Sequence, residues 1–405
     1  MPLRRLFSSI TGGSWGSDPE DGEIVVPCIR GTDFDYGALR TNESRGPLRG
    51  FRQSEFRLRA ARRGDLLIEK SGGGDQQPVG RVVLHDSDRV VVPTNFAGRL
   101  RTTPNVDPRF CCYLMASLYS DGRTRASIKQ TTGIQNLDLD SLLSHRVLVP
   151  STENQRVIAD YLDAETVRID ALIEKKRRMV ELMNERLSIL IELLTWTIPN
   201  PSLVSLGKLL QCRITDGPHE SPEYVDEGFP FLSIEAMVGG HLDFRGCRYI
   251  SEADHLAYSR KCSPIRGDVL LAKTGATIGK VAVVESDRRF SIWSPLALLR
   301  PRRDAMLSKY LWYCLQSRPL QDQIRNRATQ STQPNIAMPD IAALRIVERT
   351  RDQQRRIVAL LDEHEQRRKT LATALAHQID LATEHRNALI TAAVTGQLDL
   401  PGVAA

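Results

Sequence analysis

The amino-acid sequence predicts an α+β protein of two globular domains, each a mixed β-sheet with flanking helices. Two long helices forming an antiparallel coiled coil separate them, and the whole is expected to be pseudo-twofold. Three observations carry this reading. First, the chain repeats itself at a distance of about 200 residues, too long for a solenoid unit and long enough for a domain. Ile10-Thr11-Gly12-Gly13 returns as Ile214-Thr215-Asp216-Gly217, and Arg63-Gly64-Asp65-Leu66-Leu67-Ile68-Glu69-Lys70-Ser71-Gly72 as Arg266-Gly267-Asp268-Val269-Leu270-Leu271-Ala272-Lys273-Thr274-Gly275. Asn136-Leu137 likewise returns as Asn335-Ile336, and Gln155-Arg156-Val157-Ile158 as Gln354-Arg355-Arg356-Ile357. Second, short apolar runs bounded by Gly, Pro and Asp fill the first part of each repeat, which is strand and turn patterning. Third, two stretches without glycine or proline, Glu153 to Ile198 and Arg351 to Thr395, close the repeats.

The elements follow in the same order in both halves. Gly12-Gly13-Ser14-Trp15-Gly16 and Asp216-Gly217-Pro218-His219 read as loops, followed by the strands Ile24 to Ile29 and Phe229 to Leu232. Asp65-Leu66-Leu67-Ile68 and Asp268-Val269-Leu270-Leu271 read as buried strands, with β-branched neighbours at Val79 to Leu84 and Ile278 to Val284. Helical patches are expected around Phe110 to Tyr119 and Tyr310 to Ser317, and each domain closes on a strand-like run, Val147-Leu148-Val149 or Ile346-Val347. Capping boxes Thr152-x-x-Gln155 and Thr350-x-x-Gln353 then start the long helices, because hydroxyl and amide side chains satisfy free backbone groups of a first turn. Apolar residues recur at spacings of three and four, at Ile158, Leu162, Ile169, Ile173, Leu187, Leu190 and Leu194, and at Ile357, Leu361, Leu371, Leu375 and Leu389. This is the stripe of a coiled-coil or bundle seam. A helix of roughly 45 residues spans about 68 Å. The expected organisation is domain 1 over 1–150, central helix over 151–200, domain 2 over 201–348 and distal helix over 349–405.

Composition bounds the function classes. Hydrophobic content of 41% and charged content of 26% are ordinary for a soluble globular protein. No run reaches the roughly 18 apolar residues of a membrane span, and the start Met1 to Phe7 is too short in apolar residues for a signal peptide. Seven cysteines without C-x-x-C argue for free thiols and a cytoplasmic setting, with the Cys111-Cys112 pair as buried filling. The net charge of +6 permits nucleic-acid binding without establishing it. A GC-rich coding bias explains most of the excess of 45 arginines over 10 lysines.

Catalytic patterns are missing. Gly275-Ala276-Thr277-Ile278-Gly279-Lys280-Val281 is one residue short of a phosphate-binding loop and has Val281 where Ser or Thr must reach magnesium, so it reads as a glycine-rich turn. Glu174-Lys175-Lys176 lies mid-helix and reads as a solvated face. The eight histidines show no metal spacing, and no G-x-S-x-G elbow occurs. No metal or catalytic residue is assigned. Asn200-Pro201 is followed by Ser202, without the Asn-Pro-Pro-Tyr/Phe motif of amino-methyltransferases.

The duplicated layout and its local phrases resemble the specificity (S) subunits of Type I restriction–modification systems, over essentially the whole chain. The phrases are Thr215-Asp216-Gly217-Pro218-His219 opening a half, and Arg-Gly-Asp-Leu/Val-Leu leading to Lys-Ser/Thr-Gly in both halves. Ser331-Thr332-Gln333-Pro334-Asn335-Ile336 precedes the second helix, and Arg386 to Asp399 resembles the end of that family's distal helix. Many relatives carry a short lead-in that is nearly missing before Met1, so the edge contacts of the first strand are left open. The resemblance implies a non-catalytic subunit whose globular halves are target recognition domains, each reading one part of a split double-stranded DNA sequence. The helices would fix the gap and dock two methyltransferase (M) subunits, with two restriction/motor (R) subunits completing the enzyme of phage defence. S-adenosylmethionine, ATP and Mg²⁺ would belong to those partners, with no cofactor on this chain.

On that reading, loop residues of small or hydroxyl type let backbone approach phosphate, and Lys, Arg, Gln and Asn reach base edges. The residues expected at DNA are Thr11, Gly13, Ser14, Trp15, Arg30, Lys70, Ser71, Thr131, Thr132 and Gln135 in the first half. In the second they are Thr215, Asp216, His219, Ser233, Lys273, Thr274, Ser331, Thr332 and Gln333. Each is also an ordinary turn residue, and for Trp15 covering a core edge is the preferred reading. Two other functions fit less of the chain, a stand-alone DNA-binding regulator and a coiled-coil adaptor. Surplus apolar residues on the helices, such as Tyr161 and Leu193, favour partner subunits over the first.

Overall fold

Leu66-Leu67-Ile68 forms the middle of a strand, Leu66–Glu69, and all three side chains are buried. A run apolar on both faces belongs at the centre of a sheet covered on both sides. Accordingly the strand lies between antiparallel neighbours Ala97–Thr102 and Val82–Leu84, in a six-stranded sheet that continues to Phe7–Gly12 at one edge and to Arg40–Thr41 and Phe34–Asp35 at the other. One face packs Leu66, Ile68 and Leu100 against the helix Pro108–Ser120, and the other packs Leu67, Val83 and Ala97 against Ile29 and Val91. Cys111 and Cys112 are buried within the first of these clusters. Asp107 starts the helix as its cap, its side chain accepting from the Arg109 and Phe110 amides.

The computed structural model describes residues 1–74, 77–130, 133–329 and 331–402. It divides into two units, Met1–Arg178 with Leu375–Ala405, and Met179–Ala374. The second unit repeats the central strands in a four-stranded sheet and adds a helix, Arg318–Arg327. Val269–Ala272, wholly buried, lies between Leu296–Leu299 and Val281–Val283, with Thr215–Asp216 at the edge. Each unit also has a smaller sheet with one parallel pairing. Ile24–Ile29 runs parallel to Val92–Pro93 in the first, and Phe229–Leu232 parallel to Ser291–Ile292 in the second. The glycine-rich run from Gly275 is the turn joining Val269–Ala272 to Val281–Val283, with Gly275 and Gly279 at positive φ.

The repeat extends to individual buried polar contacts. Arg101 pairs with buried Asp65 in the first unit, and Arg300 with buried Asp268 in the second. Tyr113 donates to Asp163 at 2.7 Å, and Tyr313 to Asp362 at 2.7 Å. The Gln155 amide oxygen accepts from the Asp107 amide, and that of Gln354 from the Leu307 amide.

The long helices run Thr152–Trp196 and Arg351–Val394. Within the first unit their segments lie antiparallel, with Arg386 on Asp170 at 2.9 Å and Lys176 on Gln378. Within the second, Arg368 reaches Asn184 at 2.9 Å. Much of the apolar stripe packs on the globular cores. Ile158, Leu162 and Leu389 join the first core, and Leu187, Leu190, Leu194, Ile357 and Leu361 the second. Ile173 and Leu375 are buried, Ile169 is half-buried, and Leu371 is exposed. Among the described residues no helix is long and apolar enough to cross a membrane.

Two local expectations are corrected. Val147-Leu148-Val149 is not a strand. It lies beside Met1 and Pro2: the Met1 ammonium donates to the Val147 carbonyl at 2.7 Å, and Pro2, which has no N–H to extend a ladder, forms only an isolated bridge to Arg146. The Ile346-Val347 run is a strand, paired with Leu203–Ser205. The second capping box forms, with Thr350 and Gln353 exchanging backbone and side-chain bonds. The first does not: Ser151 caps the Asn154 amide at 3.2 Å, and Thr152 donates instead to the Asn105 carbonyl. The reason is register, since Gln155 matches Gln354 and is committed to the core side, where it holds Asp107.

Candidate nucleic-acid interface

The Lys-Ser-Gly and Lys-Thr-Gly phrases leave the central strand of each unit and are clamped in the same way. The Lys70 amide donates to the Phe96 carbonyl at 2.7 Å, and the Lys273 amide to Pro295 at 2.8 Å. On the other side, the Lys70 carbonyl accepts from the Leu137 amide and the Lys273 carbonyl from that of Ile336. Ser71 then donates to Asn136 at 2.7 Å, and Thr274 to Asn335 at 2.9 Å. The structure therefore joins Lys70, Ser71 and Gln135, with Gln135 itself buried and accepting from the Val79 amide. Thr131 and Thr132 lie outside the described residues. In the second unit Ser331 donates to the Gln333 carbonyl in an exposed turn that also holds Thr332.

The glycine loops lie beside these phrases because no side chain could fit there. A Cβ on Gly13 would stand 2.1 Å from the carbonyl oxygens of Pro93 and Thr94, and one on Gly217 only 1.7 Å from that of Ile292. Thr11 pairs with Arg99 in the edge strand, and its hydroxyl is buried without a hydrogen-bond partner. Ser14 accepts from the Gly16 amide at 3.3 Å. Trp15 does not cover a core edge as expected. It is 42% exposed and carries the Arg49 guanidinium over its ring at 5.2 Å.

Each unit has an open cleft between the loop after its parallel strand and the loop before its next strand. The first, about 820 Å³, is lined by Trp15, Arg30, Ser71, Arg81 and Phe96 among others. At its floor Tyr36 donates to Glu69, and Arg81 lies over the Tyr36 ring at 4.4 Å. Burial raises the Glu69 carboxyl above its ordinary range, against the hydrogen bond from Tyr36 and the charge of Arg81. Arg30 is held in a paired bond to Asp33, at 2.9 Å from each nitrogen. The second cleft, about 490 Å³, includes Ser233, Arg245, Arg248 and Trp293.

Asp216, His219 and Lys273 are brought together, with Thr215 preceding them in the edge strand. Asp216 is fully buried and accepts a hydrogen bond from Lys261, with Lys273 and His219 each at 3.3 Å. Burial opposes its charge, but the hydrogen bond and charge of Lys261, with the charge of Lys273, outweigh that and hold its pKa below the ordinary carboxylate value. In the first unit burial, followed by the charge of Arg59, lowers the Lys70 pKa. Lys261 and Arg59 escaped the sequence reading. Each stands at or just after the end of a short helix, Glu252–Ser259 or Gln53–Arg59. Aligning the two helix ends in the repeat would have found them.

The arrangement offers cations, amides and hydroxyls around open clefts. Among the described residues no group of three His, Cys, Asp or Glu side chains could hold a metal ion.

No family model matches the sequence. No curated protein matches it either. Solved structures match over nearly the full length. A chain of a type I restriction–modification system, solved for its complex assembly and conformational transition, superposes with a TM-score of 0.72 at 19% identity, covering 98% of this chain and 97% of that one. The HsdS subunit of Thermoanaerobacter tengcongensis superposes at 0.50 with 19% identity, covering 98% and 96%. The fold is thus that of Type I restriction–modification S subunits.

Proposed function

We propose that this chain, which has the fold of those subunits, is the DNA sequence-specificity subunit of a Type I restriction–modification complex and is not itself catalytic. The domains over 1–150 and 201–348 each read one half of a bipartite double-stranded DNA target. The observation that carries this reading is the duplication of one surface: a Lys-Ser/Thr-Gly turn clamped to an Asn, beside a loop whose Gly13 or Gly217 leaves no room for a side chain, and an open cleft. Such a surface lets backbone and cations reach phosphate while adjacent side chains reach base edges. The clefts differ in lining, as two unlike half-sequences require.

In this proposal the long helices set the spacer and dock two methyltransferase subunits, and two restriction/motor subunits complete the assembly. S-adenosylmethionine, ATP and Mg²⁺ belong to those partners. Exposed apolar residues along the central helix, including Val167, Leu172, Leu182, Ile189 and Leu193, support a partner-binding role. The test is base-resolved mapping of N6-methyladenine in cells carrying this chain with and without the methyltransferase encoded beside it. Methylation at one split motif that requires both proteins is expected. Methylation independent of this chain, although both proteins are made and associate, would overturn the proposal.

A further inference from the structure

The two units place different groups at one register position, and the difference changes what the surrounding cations need. In the first unit Gly12 pairs with Gly98, which pairs in turn with Ile68 of the central strand. In the second, Asp216 pairs with Ala297, which pairs with Leu271. Gly12 and Asp216 are therefore equivalent. Each faces two cations: Lys70 and Lys273 are equivalent in the repeat, and Arg59 and Lys261, at a shifted spacing, come from the ends of the two short helices.

In the second unit the buried Asp216 carboxylate neutralises the pair from within. In the first the carboxylate is missing. A Cβ built on Gly12 would lie 3.1 Å from the Lys70 ammonium and 3.8 Å from an Arg59 guanidinium nitrogen, so the space beside Gly12 is the space both cations face. Among the described residues no carboxylate pairs with Lys70. Arg59 donates to the carbonyls of Gly12 and Gly13, its Nε is buried without a hydrogen-bond partner, and Glu55 stands 3.8 Å away. Glu55 thus gives Arg59 one ion pair within its own helix, while Lys70, partly desolvated beside the Arg59 charge, has no carboxylate among the described residues, an unfavourable arrangement unless an anion joins it.

We propose that the space beside Gly12, between Arg59 and Lys70, binds a phosphate-class oxyanion, and that in the second unit the carboxylate of Asp216 takes that anion's place. Phosphate oxygens suit the site because a guanidinium and an ammonium can both donate to one group in short, charge-assisted bonds. Resting on the proposed DNA-reading function, the natural source is a backbone phosphodiester, so the first half-site would take one more phosphate contact than the second.

Gly12→Asp copies the second unit's solution into the first. Gly12 has no positive φ, and the atoms nearest its Cβ position are the ends of two flexible side chains, so the substitution is sterically mild. Thermal unfolding of the full chain in inorganic phosphate against chloride, at matched ionic strength, reads the site directly. Phosphate should raise the Tm of the parent protein. Gly12→Asp should raise Tm in chloride and abolish the phosphate-dependent shift, and Lys70→Met should abolish the shift without the gain. Equal phosphate shifts in all three proteins would overturn the proposal.

The second arm measures DNA binding by the complex assembled with its methyltransferase across a salt series. Loss of one phosphate contact reduces the slope of log K against log salt by about 0.9. A reduced slope in Gly12→Asp with unchanged base preference makes the phosphodiester the source. An unchanged slope alongside a lost phosphate shift makes the source free phosphate. Absence of motif-specific DNA binding by the parent complex would sink the DNA-reading function and leave the phosphate result standing on its own.

Discussion

Arg300 holds Asp268 through two parallel hydrogen bonds, Nε to Oδ1 at 2.8 Å and Nη2 to Oδ2 at 2.7 Å, while the same carboxylate accepts from the Ile265 amide at 2.9 Å. Asp268 is 1% exposed, so removing it strands a cation and an amide together. Asp268→Ala is expected to cost about 3 kcal/mol, at the lower end for a broken buried pair. Asp65→Ala in the first unit should cost less, because Arg101 is 41% exposed against 25% for Arg300 and keeps more of its water. Urea unfolding of both variants checks the order, and a larger loss for Asp65→Ala would contradict it.

Gln354 ties the start of the distal helix to the globular core. Its amide oxygen accepts from Leu307 at 2.8 Å, and its amide nitrogen donates to the carbonyls of Ala305 and Arg349. Gln354→Glu replaces that donor with an oxygen facing two carbonyls, and should cost about 1–3 kcal/mol at neutral pH. Burial would raise the new carboxyl's pKa above its unfolded value. A raised folded pKa gives stability that is present below the unfolded value and lost as pH rises through the folded one. The deficit of Gln354→Glu should therefore shrink as pH falls from 7 to 4, and a deficit that is constant over this range would show that the lost donor matters without the charge.

The repeat made the core legible because buried central strands are apolar on both faces, and Leu66 to Ile68 and Val269 to Leu271 were placed from that pattern alone. The long helices were equally plain, since they lack glycine and proline over more than ten turns. What the pattern could not show was which apolar positions serve the helix pair and which serve the globular cores. Leu162 and Leu361 sit in the same kind of stripe as Leu371, yet they are buried in the cores and Leu371 is exposed. Gly12 against Asp216 was visible as a sequence difference. Its electrostatic meaning needed the positions of Arg59 and Lys261, which approach from helix ends at a shifted spacing. Trp15 is apolar enough to read as packing, but its partner is the Arg49 guanidinium, a contact made across the loop that the local sequence does not show.

Asp216 links the acid stability of the second unit to its cation cluster. Its folded pKa is held below the ordinary carboxylate value, so its stabilisation is present above that value and is lost as pH falls through the folded one. Asp216→Asn should lower stability at pH 7 and flatten the acid limb of the stability profile below the ordinary carboxylate range. Measuring unfolding free energy from pH 2 to 7 tests this. An Asn variant whose profile runs parallel to that of the parent would rule out the carboxylate as the origin.

Gly13 and Gly217 mark where backbone approaches backbone, and they separate the two half-sites experimentally. The Cβ of Gly217→Ala would overlap the Ile292 carbonyl at 1.7 Å, and that of Gly13→Ala the Pro93 and Thr94 carbonyls at 2.1 Å. None of these atoms can rotate away, so the loop must move, at a cost of about 1–3 kcal/mol as for other overpacking. The displaced loop borders the Lys-Ser/Thr-Gly turn of its own unit only. On the proposed function, Gly217→Ala should degrade recognition of one half of the methylated motif and Gly13→Ala the other, each leaving the opposite half intact. Methylation mapping with each variant reads this out, with soluble full-length chain as the folding control. If both variants fold and both lose the same half, the assignment of one half-sequence to each unit is wrong.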